Sequence, residues 1–304
     1  LPFIASMGRL AVSVWIRLSM NESPAFQKMK SEGKTSKAPL SESFGEWKNL
    51  KVVLVALFGL VAGQAVVWYT GQFYALFFLT SVLKVDGPTA NILIAVSLVI
   101  GTPFFVVFGT LSDKIGRKPI ILAGLLLAVV TYFPLFKMLT AAAKPDLAKA
   151  QETTHVIVTA VPAECSFGGN PVARDIDFRT SCDIAKRFLA QQSVSYENAA
   201  GTGPATVKIG EAVITAPTGT VVGSKFDEAS AKSIAAFKKD VSEALKAAGY
   251  PTKADPAKLN KPMIVLILTI LVIYVTMVYG PIAAALVEMF PTRIRYTSMS
   301  LPYH

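Results

Sequence analysis

The chain has 304 residues, and 30 Lys and Arg against 20 Asp and Glu give it a formal net charge of +10. Hydrophobic residues make up 52% of it and charged residues 16%, and its mean hydropathy is +0.49. Soluble domains carry about 25% charged residues, so the composition favours a membrane protein. It argues against a nucleic-acid-binding protein, because the basic residues lie between apolar runs and do not cluster with aromatic residues.

The apolar run at residues 1–19 lacks the basic start and the small-residue cleavage site of a signal peptide. We interpret it as the end of a transmembrane helix that begins before Leu1, and expect another helix to begin near residue 304. The chain is thus expected to be part of a longer protein. Arg9 would lie roughly 12 Å deeper than Arg17 on such a helix, where a charge is normally paired or functional. A helix end nearer the surface is the alternative explanation.

Four later stretches contain no charged residue, namely 52–83, 87–112, 119–136 and 262–287. A helix needs about 20 residues to cross a bilayer, and the third stretch stays apolar beyond Lys137. We therefore predict full transmembrane helices at 51–83, 87–112, 119–141 and 262–290.

Three segments rich in basic residues, 20–50, 113–118 and 291–304, fall on one side of these helices. The positive-inside rule makes that side cytoplasmic. The opposite side then holds residues 142–261, a polar segment that we expect to be a small extracytoplasmic α/β insertion. Its patterning predicts a strand at 155–160, a hairpin at 205–216 and a helix at 226–248 that ends near Gly249.

Both cysteines, Cys165 and Cys182, lie in this segment. An extracytoplasmic location permits a disulfide, which would close a short loop and contribute roughly 3 kcal/mol. Two unpaired thiols are the alternative. Metal-binding spacing is absent, so we expect no metal and no cofactor.

The turn at residues 109–122 (GTLSDKIGRKPIIL) has a physical logic. Gly109 permits close approach of a helix, and Asp113 can cap a helix or pair with a base. Gly116 permits a tight reversal, while Arg117 and Lys118 hold the turn on the cytoplasmic side. An ordinary cytoplasmic turn of similar composition is the alternative.

This turn resembles the signature loop of the major facilitator superfamily, which occurs between helices 2 and 3 and again between helices 8 and 9. The long basic segment before the first two full helices matches the second copy. The resemblance implies an all-α polytopic membrane protein with the C-terminal half of the major facilitator fold. Residues 1–19 then correspond to the end of helix 6, the four full spans to helices 7 to 10, and residues 291–304 to the start of helix 11.

Two further segments resemble the metabolite:proton symporter family. One is Arg17-Leu18 through Glu22-Ser23-Pro24, and the other runs from Glu288-Met289-Phe290-Pro291 to His304. The resemblance implies uptake of a small polar metabolite, an organic acid or a zwitterionic solute, by proton symport and alternating access. It implies a monomer in the bacterial cytoplasmic membrane whose partners are substrate, protons and lipid, with no nucleic acid. The insertion departs from the family's short loop.

Polar and aromatic residues on two helices are our candidates for substrate binding: Gln64, Trp68, Tyr69, Gln72, Tyr74, Tyr274 and Tyr279. Gln64, Trp68 and Gln72 are four residues apart, so they share one helix face, although packing between helices would also use such side chains. We expect Pro281 to kink or break its helix. Asn91 and Ser97 are weaker candidates.

Glu288 is expected at the cytoplasmic end of its helix. By resemblance it joins a charge network with Arg117, and with Arg293 as a further member, that latches one conformation; an ordinary interfacial carboxylate is the alternative. The middle of the four full spans holds no carboxylate and no His. Proton coupling would therefore involve residues outside them, with His304 as a weak candidate.

Three other classes compete with a transporter. A channel leaves the signature turn unexplained. A membrane-anchored sensor or binding protein would use the insertion at 142–261 to hold a ligand. An enzyme is the weakest, because no Ser/His/Asp set, phosphate loop or metal cluster is evident.

Overall fold

The structure, a computed structural model, describes residues 2–19, 23–166 and 173–303. Its helices are α1 (Pro2–Ser19), α2 (Pro24–Ser31), α3 (Trp47–Val82), α4 (Gly87–Ile115), α5 (Arg117–Ala143), α6 (Pro145–Thr153), α7 (Ser181–Gln191), α8 (Glu228–Ala247), α9 (Lys261–Met289) and α10 (Arg295–Tyr303). Its strands are β1 (Val156–Ala160), β2 (Glu197–Ala200), β3 (Thr206–Ile209), β4 (Ala212–Thr215), β5 (Val221–Val222) and β6 (Lys225–Phe226).

In the described part of the chain, four helices are long and apolar enough to cross a membrane: α3, α4, α5 and α9. By helix length and composition, the prediction of a mostly helical membrane protein with four full spans is confirmed. Helix α3 begins at Trp47, before the predicted start at residue 51, because its first turn includes the polar residues Lys48 and Asn49. Hydropathy detects only the uncharged part of a helix, whereas backbone hydrogen bonding extends into polar residues at its ends.

Helix α3 contains three stretches of wide π turns, at Val55–Val61, Thr70–Tyr74 and Phe78–Val82. A π turn places more residues in each turn than an α-helix does. Side chains four residues apart therefore do not stay aligned along the whole of α3. Wide turns of this kind occur often at functional positions, and Gln72 and Tyr74 lie in the second stretch.

Helix α9 is the centre of the membrane part. It is buried on most of its sides, and it packs against α5, α4 and α3. Pro281 lies inside α9 and the helix continues to Met289, so the helix does not break there, and the kink stays a prediction. Small residues on the neighbouring helices face α9, among them Gly71, Gly101 and Gly124. They allow the backbones to approach closely, as small residues do in membrane helix pairs.

Gly124→Ala should destabilise the protein by about 2 kcal/mol, because overpacking a filled core costs 1–3 kcal/mol. A Cβ at Gly124 would lie 2.8 Å from Val278 Cγ2 and 2.9 Å from Met277 Cβ. The matched control is Gly59→Ala in α3, whose new Cβ would meet only Val55 Cγ1 at 3.9 Å. Both changes raise helix propensity, so the difference in apparent unfolding temperature isolates the packing. Equal unfolding temperatures for the two variants would contradict this close contact.

Between α5 and α9 the chain forms a four-stranded sheet in the order β2-β1-β3-β4. Strand β1 pairs parallel with β2 and antiparallel with β3, and β3 pairs antiparallel with β4. Helix α7 packs against β1 and β3, and α8 against β3 and β4. The strand, the hairpin and the helix expected in this segment are present as β1, β3 with β4, and α8. Gly249 follows the last turn of α8 with φ +82°, a conformation that favours glycine.

This segment contacts the ends of the membrane helices. Asn260 N donates to Ala142 O at 2.9 Å, and Lys258 Nζ lies 2.7 Å from Asp146 Oδ2. Lys144, at the end of α5, is only 3% exposed. Burial, together with the smaller effect of the like charge on Lys84, lowers the pKa of Lys144 to about 8. The junction between the sheet segment and the membrane helices therefore buries the Lys144 ammonium, and burying this charge reduces the stability of the fold.

Cys165 and Cys182 are joined by a disulfide across 17 residues, and Cys182 is fully buried at the start of α7. The protein unfolded without reductant should therefore show no reactive thiol, and two after reduction. Thiol titration with a maleimide, read by mass, measures this. Two reactive thiols before reduction would overturn the pairing.

Candidate functional site

The turn between α4 and α5 is a sharp reversal at a single glycine. Helix α4 ends at Ile115, Gly116 adopts φ +93° and ψ 159°, and α5 begins at Arg117. Residues with side chains rarely adopt this φ. The reversal sets the side chain of Arg117 close to the last turn of α4.

Arg117 joins three helix ends. Its Nη1 donates to Asp113 Oδ1 at 2.5 Å and to Ser112 Oγ at 3.2 Å, both in the last turn of α4. Its Nε and Nη2 donate to Glu288 Oε1 at 3.3 and 3.1 Å, near the end of α9. One guanidinium thus ties α4, α5 and α9 together, and we call these four residues the Arg117 cluster. Hydrogen bonds between charged groups, as here, are the stronger ones.

The two acidic side chains of the Arg117 cluster are exposed. The Arg117 side chain is 20% exposed, whereas those of Asp113 and Glu288 are 68% and 58% exposed. Exposed ion pairs contribute little to stability. Such a cluster is better suited to a contact that forms and breaks than to holding the fold together.

Arg293 does not join the Arg117 cluster, so this part of the expected network is wrong. It forms an ion pair with Glu42, which lies in the π turn Ser41–Gly45 of the segment before α3. The contact does not have the geometry of a hydrogen bond. Close by, the buried Ser298 Oγ donates to Ser43 Oγ at 2.9 Å. Sequence reasoning missed Glu42, Ser43 and Ser298, because nothing in the local pattern of the basic loop distinguishes them.

Gly109 does not have the close contact that its place in the motif suggests. A Cβ at Gly109 would meet nothing within 4 Å in the described part of the chain, so the expected close approach is not found there. Gly280 of α9 is the closer glycine, since its added Cβ would lie 3.6 Å from Phe105 O and 3.9 Å from Gly109 N. Lys118 is exposed.

The candidate substrate residues of α3 fall into separate groups. Trp68 packs against Tyr279 of α9 with ring centroids 4.9 Å apart and the ring planes tilted by 34°. Tyr69 contacts Phe73 and is exposed, and Tyr74 packs against Phe136 of α5. Gln64 and Gln72 are half-buried, and among the described residues their side chains make no hydrogen bond. The structure thus brings Trp68 and Tyr279 together but leaves the tyrosines of α3 apart from them.

Tyr274 is buried between α9 and α5, away from Trp68. Thr131 Oγ1 donates to the Tyr274 hydroxyl at 3.0 Å, and the ring of Tyr132 lies 6.4 Å from that of Tyr274. Thr131 and Tyr132 were missed from sequence, although hydroxyls within an apolar span are a signal for such a contact. Ser97 bonds its own helix at Ile94 O, and Asn91 is exposed.

Two candidates lie outside the described part of the chain. The side chain of Arg9 is not among the described residues, although its backbone belongs to α1. His304 follows the last described residue. Both therefore stay predictions.

The family description Sugar (and other) transporter matches residues 11–172, just over half of the chain. A putative metabolite transport protein of Haemophilus influenzae is 27% identical over 128 residues, which are 39% of this chain and 29% of that protein. A putative proline/betaine transporter of Staphylococcus aureus is 26% identical over 129 residues, 41% of this chain and 26% of that protein. The chain thus spans under a third of the length of these relatives. No solved structure matches it.

Proposed function

Because this chain belongs to the Sugar (and other) transporter family of the major facilitator superfamily, we propose that it is part of a secondary active transporter. The transporter takes up a small polar metabolite by proton symport, through alternating access of two helical halves around a site near the middle of the membrane. An integral membrane transporter follows from the family and from the four apolar helices. The coupling, the substrate and the residue roles are the proposal.

The Arg117 cluster is the observation that carries the mechanism. It links the ends of α4, α5 and α9 on the side that carries the basic segments. Alternating access needs contacts that hold one conformation and break in the other. Arg117 with Asp113 and Glu288 serves as such a latch, and the partial exposure of both acids makes breaking it inexpensive.

Trp68 and Tyr279 support a substrate site between α3 and α9. The two rings lie 4.9 Å apart, and Gln64 and Gln72, four residues before and after Trp68, have no hydrogen-bond partner in the described part of the chain. Aromatic faces attract quaternary ammonium groups, and uncharged amides hydrogen-bond polar solutes. A zwitterion or a small organic acid fits this lining. The printed names of the two relatives, a metabolite transport protein and a proline/betaine transporter, support the same class.

We further propose that α3, α4, α5 and α9 are helices 7 to 10 of the fold, and that the protein acts as a monomer in the bacterial cytoplasmic membrane. Residues 142–261 then lie on the extracytoplasmic side. A cysteine at Lys253 should react with a membrane-impermeant maleimide in intact cells, whereas one at Lys37 should react only after lysis. The reverse pattern would contradict the proposed sidedness. The native cysteines do not interfere, since they are bonded to each other.

The function is tested by uptake in cells that express the complete protein. Radiolabelled proline, glycine betaine and a panel of organic acids are the probes, with and without a protonophore. We expect accumulation of at least one solute, and its loss when the proton gradient is dissipated. Binding of a solute without any flux would instead favour a membrane-anchored sensor that uses residues 142–261.

A further inference from the structure

A cavity of about 360 Å³ lies where the sheet segment meets the membrane helices. Phe78 and Val82 of α3 and Phe136 of α5 line its apolar side. Its polar side is formed by Lys137 and Thr140 of α5, Gln151 and Glu152 of α6, and Ser193 and Ser195 of the loop before β2. The cavity is therefore amphipathic, with its polar groups contributed by the end of α5 and by the segment that follows it.

Two opposite charges line this cavity and are both unpaired. Among the described residues, neither Lys137 nor Glu152 forms an ion pair or a side-chain hydrogen bond, with each other or with a third group. Lys258 at the same junction is, by contrast, paired with Asp146 at 2.7 Å. Two unlike charges that share a cavity without pairing suit a ligand that carries both signs.

An apolar strip leads away from the cavity along α5. Phe133, Val130 and Val129 precede Lys137 by four, seven and eight residues, so they lie on the same face of the helix. They are 88%, 64% and 74% exposed. In a helix that crosses the membrane, such a strip contacts hydrocarbon, which suits acyl chains and not a free polar solute.

The depth of Lys137 fits a lipid head group. It lies six residues before the end of α5 at Ala143, which is roughly 9 Å along the helix axis. A lysine at this depth extends its ammonium to the level of the head groups. Lys137 therefore presents its charge where the acyl strip ends and the polar lining begins.

We propose that this cavity binds a zwitterionic phospholipid, with its phosphate on Lys137, its ammonium on Glu152 and its acyl chains along the strip at 129–133. An anionic phospholipid places no positive group against Glu152 and is disfavoured. This assignment does not depend on the transported solute or on which side of the membrane the sheet segment lies.

The test is lipid retention by the purified complete protein, measured by native mass spectrometry with phosphatidylethanolamine, phosphatidylcholine and phosphatidylglycerol offered at equal concentration. We expect the wild-type protein to retain the two zwitterionic lipids. Lys137→Met should reduce that retention about tenfold, since it removes a charged hydrogen bond to phosphate. Glu152→Gln should reduce the preference for zwitterionic lipid over phosphatidylglycerol.

Lys149→Met is the matched control, because Lys149 is an exposed lysine of α6 outside the cavity lining. It should leave retention unchanged, and the melting temperatures of all variants verify folding. Unchanged retention in Lys137→Met, or a wild-type preference for phosphatidylglycerol, would overturn the proposal. So would competition by soluble phosphoethanolamine at equal concentration, because it would assign the site to a free zwitterion.

Discussion

Glu288→Gln should reduce initial uptake at least tenfold while the protein still reaches the membrane at wild-type abundance. The change keeps the shape of the side chain and removes the charge that faces Arg117 at 3.1 Å. Hydrogen bonds between charged groups are roughly twice as strong as neutral ones. If the Arg117 cluster holds one conformation, weakening it shifts the balance between the two conformations, and a shift of about 1.4 kcal/mol is a factor of ten.

The matched control is Glu211→Gln, at an exposed position in the turn between β3 and β4. Uptake is measured with whichever solute the complete protein accumulates, normalised to the amount of protein in the membrane. Asp113→Asn should also reduce uptake, because it removes the second acid on the same guanidinium. Wild-type uptake by Glu288→Gln would refute the latch and leave Glu288 an ordinary interfacial carboxylate.

Lys144→Met should raise the free energy of unfolding by about 3 kcal/mol at pH 7. This follows from the lowered pKa of Lys144, because a shift of one pKa unit corresponds to about 1.4 kcal/mol. The pKa of Lys144 falls from 10.5 to about 8 because the side chain is buried, with Lys84 adding a like charge. Between these two values the unfolded chain binds a proton that the folded chain does not. The wild-type stability therefore rises with pH across this window. Below about pH 8 Lys144 is charged in the folded protein too, so the full cost of burying that charge reduces its stability.

The advantage of the Lys144→Met variant should accordingly shrink as the pH rises from 8 towards 10. Thermal unfolding in detergent at pH 7 and pH 9.5 measures both values. Lys149→Met, an exposed lysine on the next helix, controls for the loss of a positive charge and should show no such trend. A Lys144→Met protein that is less stable than wild type at pH 7 would mean that the ammonium has a stabilising partner.

Local sequence was sufficient for some parts of the candidate site and not for others. Asp113 and Arg117 are four residues apart across one turn, and Gly116 determines the reversal between them, so nearby residues alone bring them together. Arg293 was assigned to the wrong acid. Its contact with Glu42 depends on where the segment before α3 lies. Sequence spacing does not predict contacts between residues so far apart in the chain.

The sequence by itself determined the membrane helices, the tight turn at Gly116 and the strand pattern of the segment after α5. These depend on transfer free energies and backbone preferences that act over a few neighbouring residues. Only the tertiary structure decided that Trp68 meets Tyr279 of α9 while Tyr74 meets Phe136 of α5, because these contacts depend on which helix packs against each face of α3. It also decided that Lys144 is buried and that Lys137 and Glu152 share a cavity. Burial and shared cavities depend on how elements distant in sequence pack against each other, which composition and periodicity do not encode.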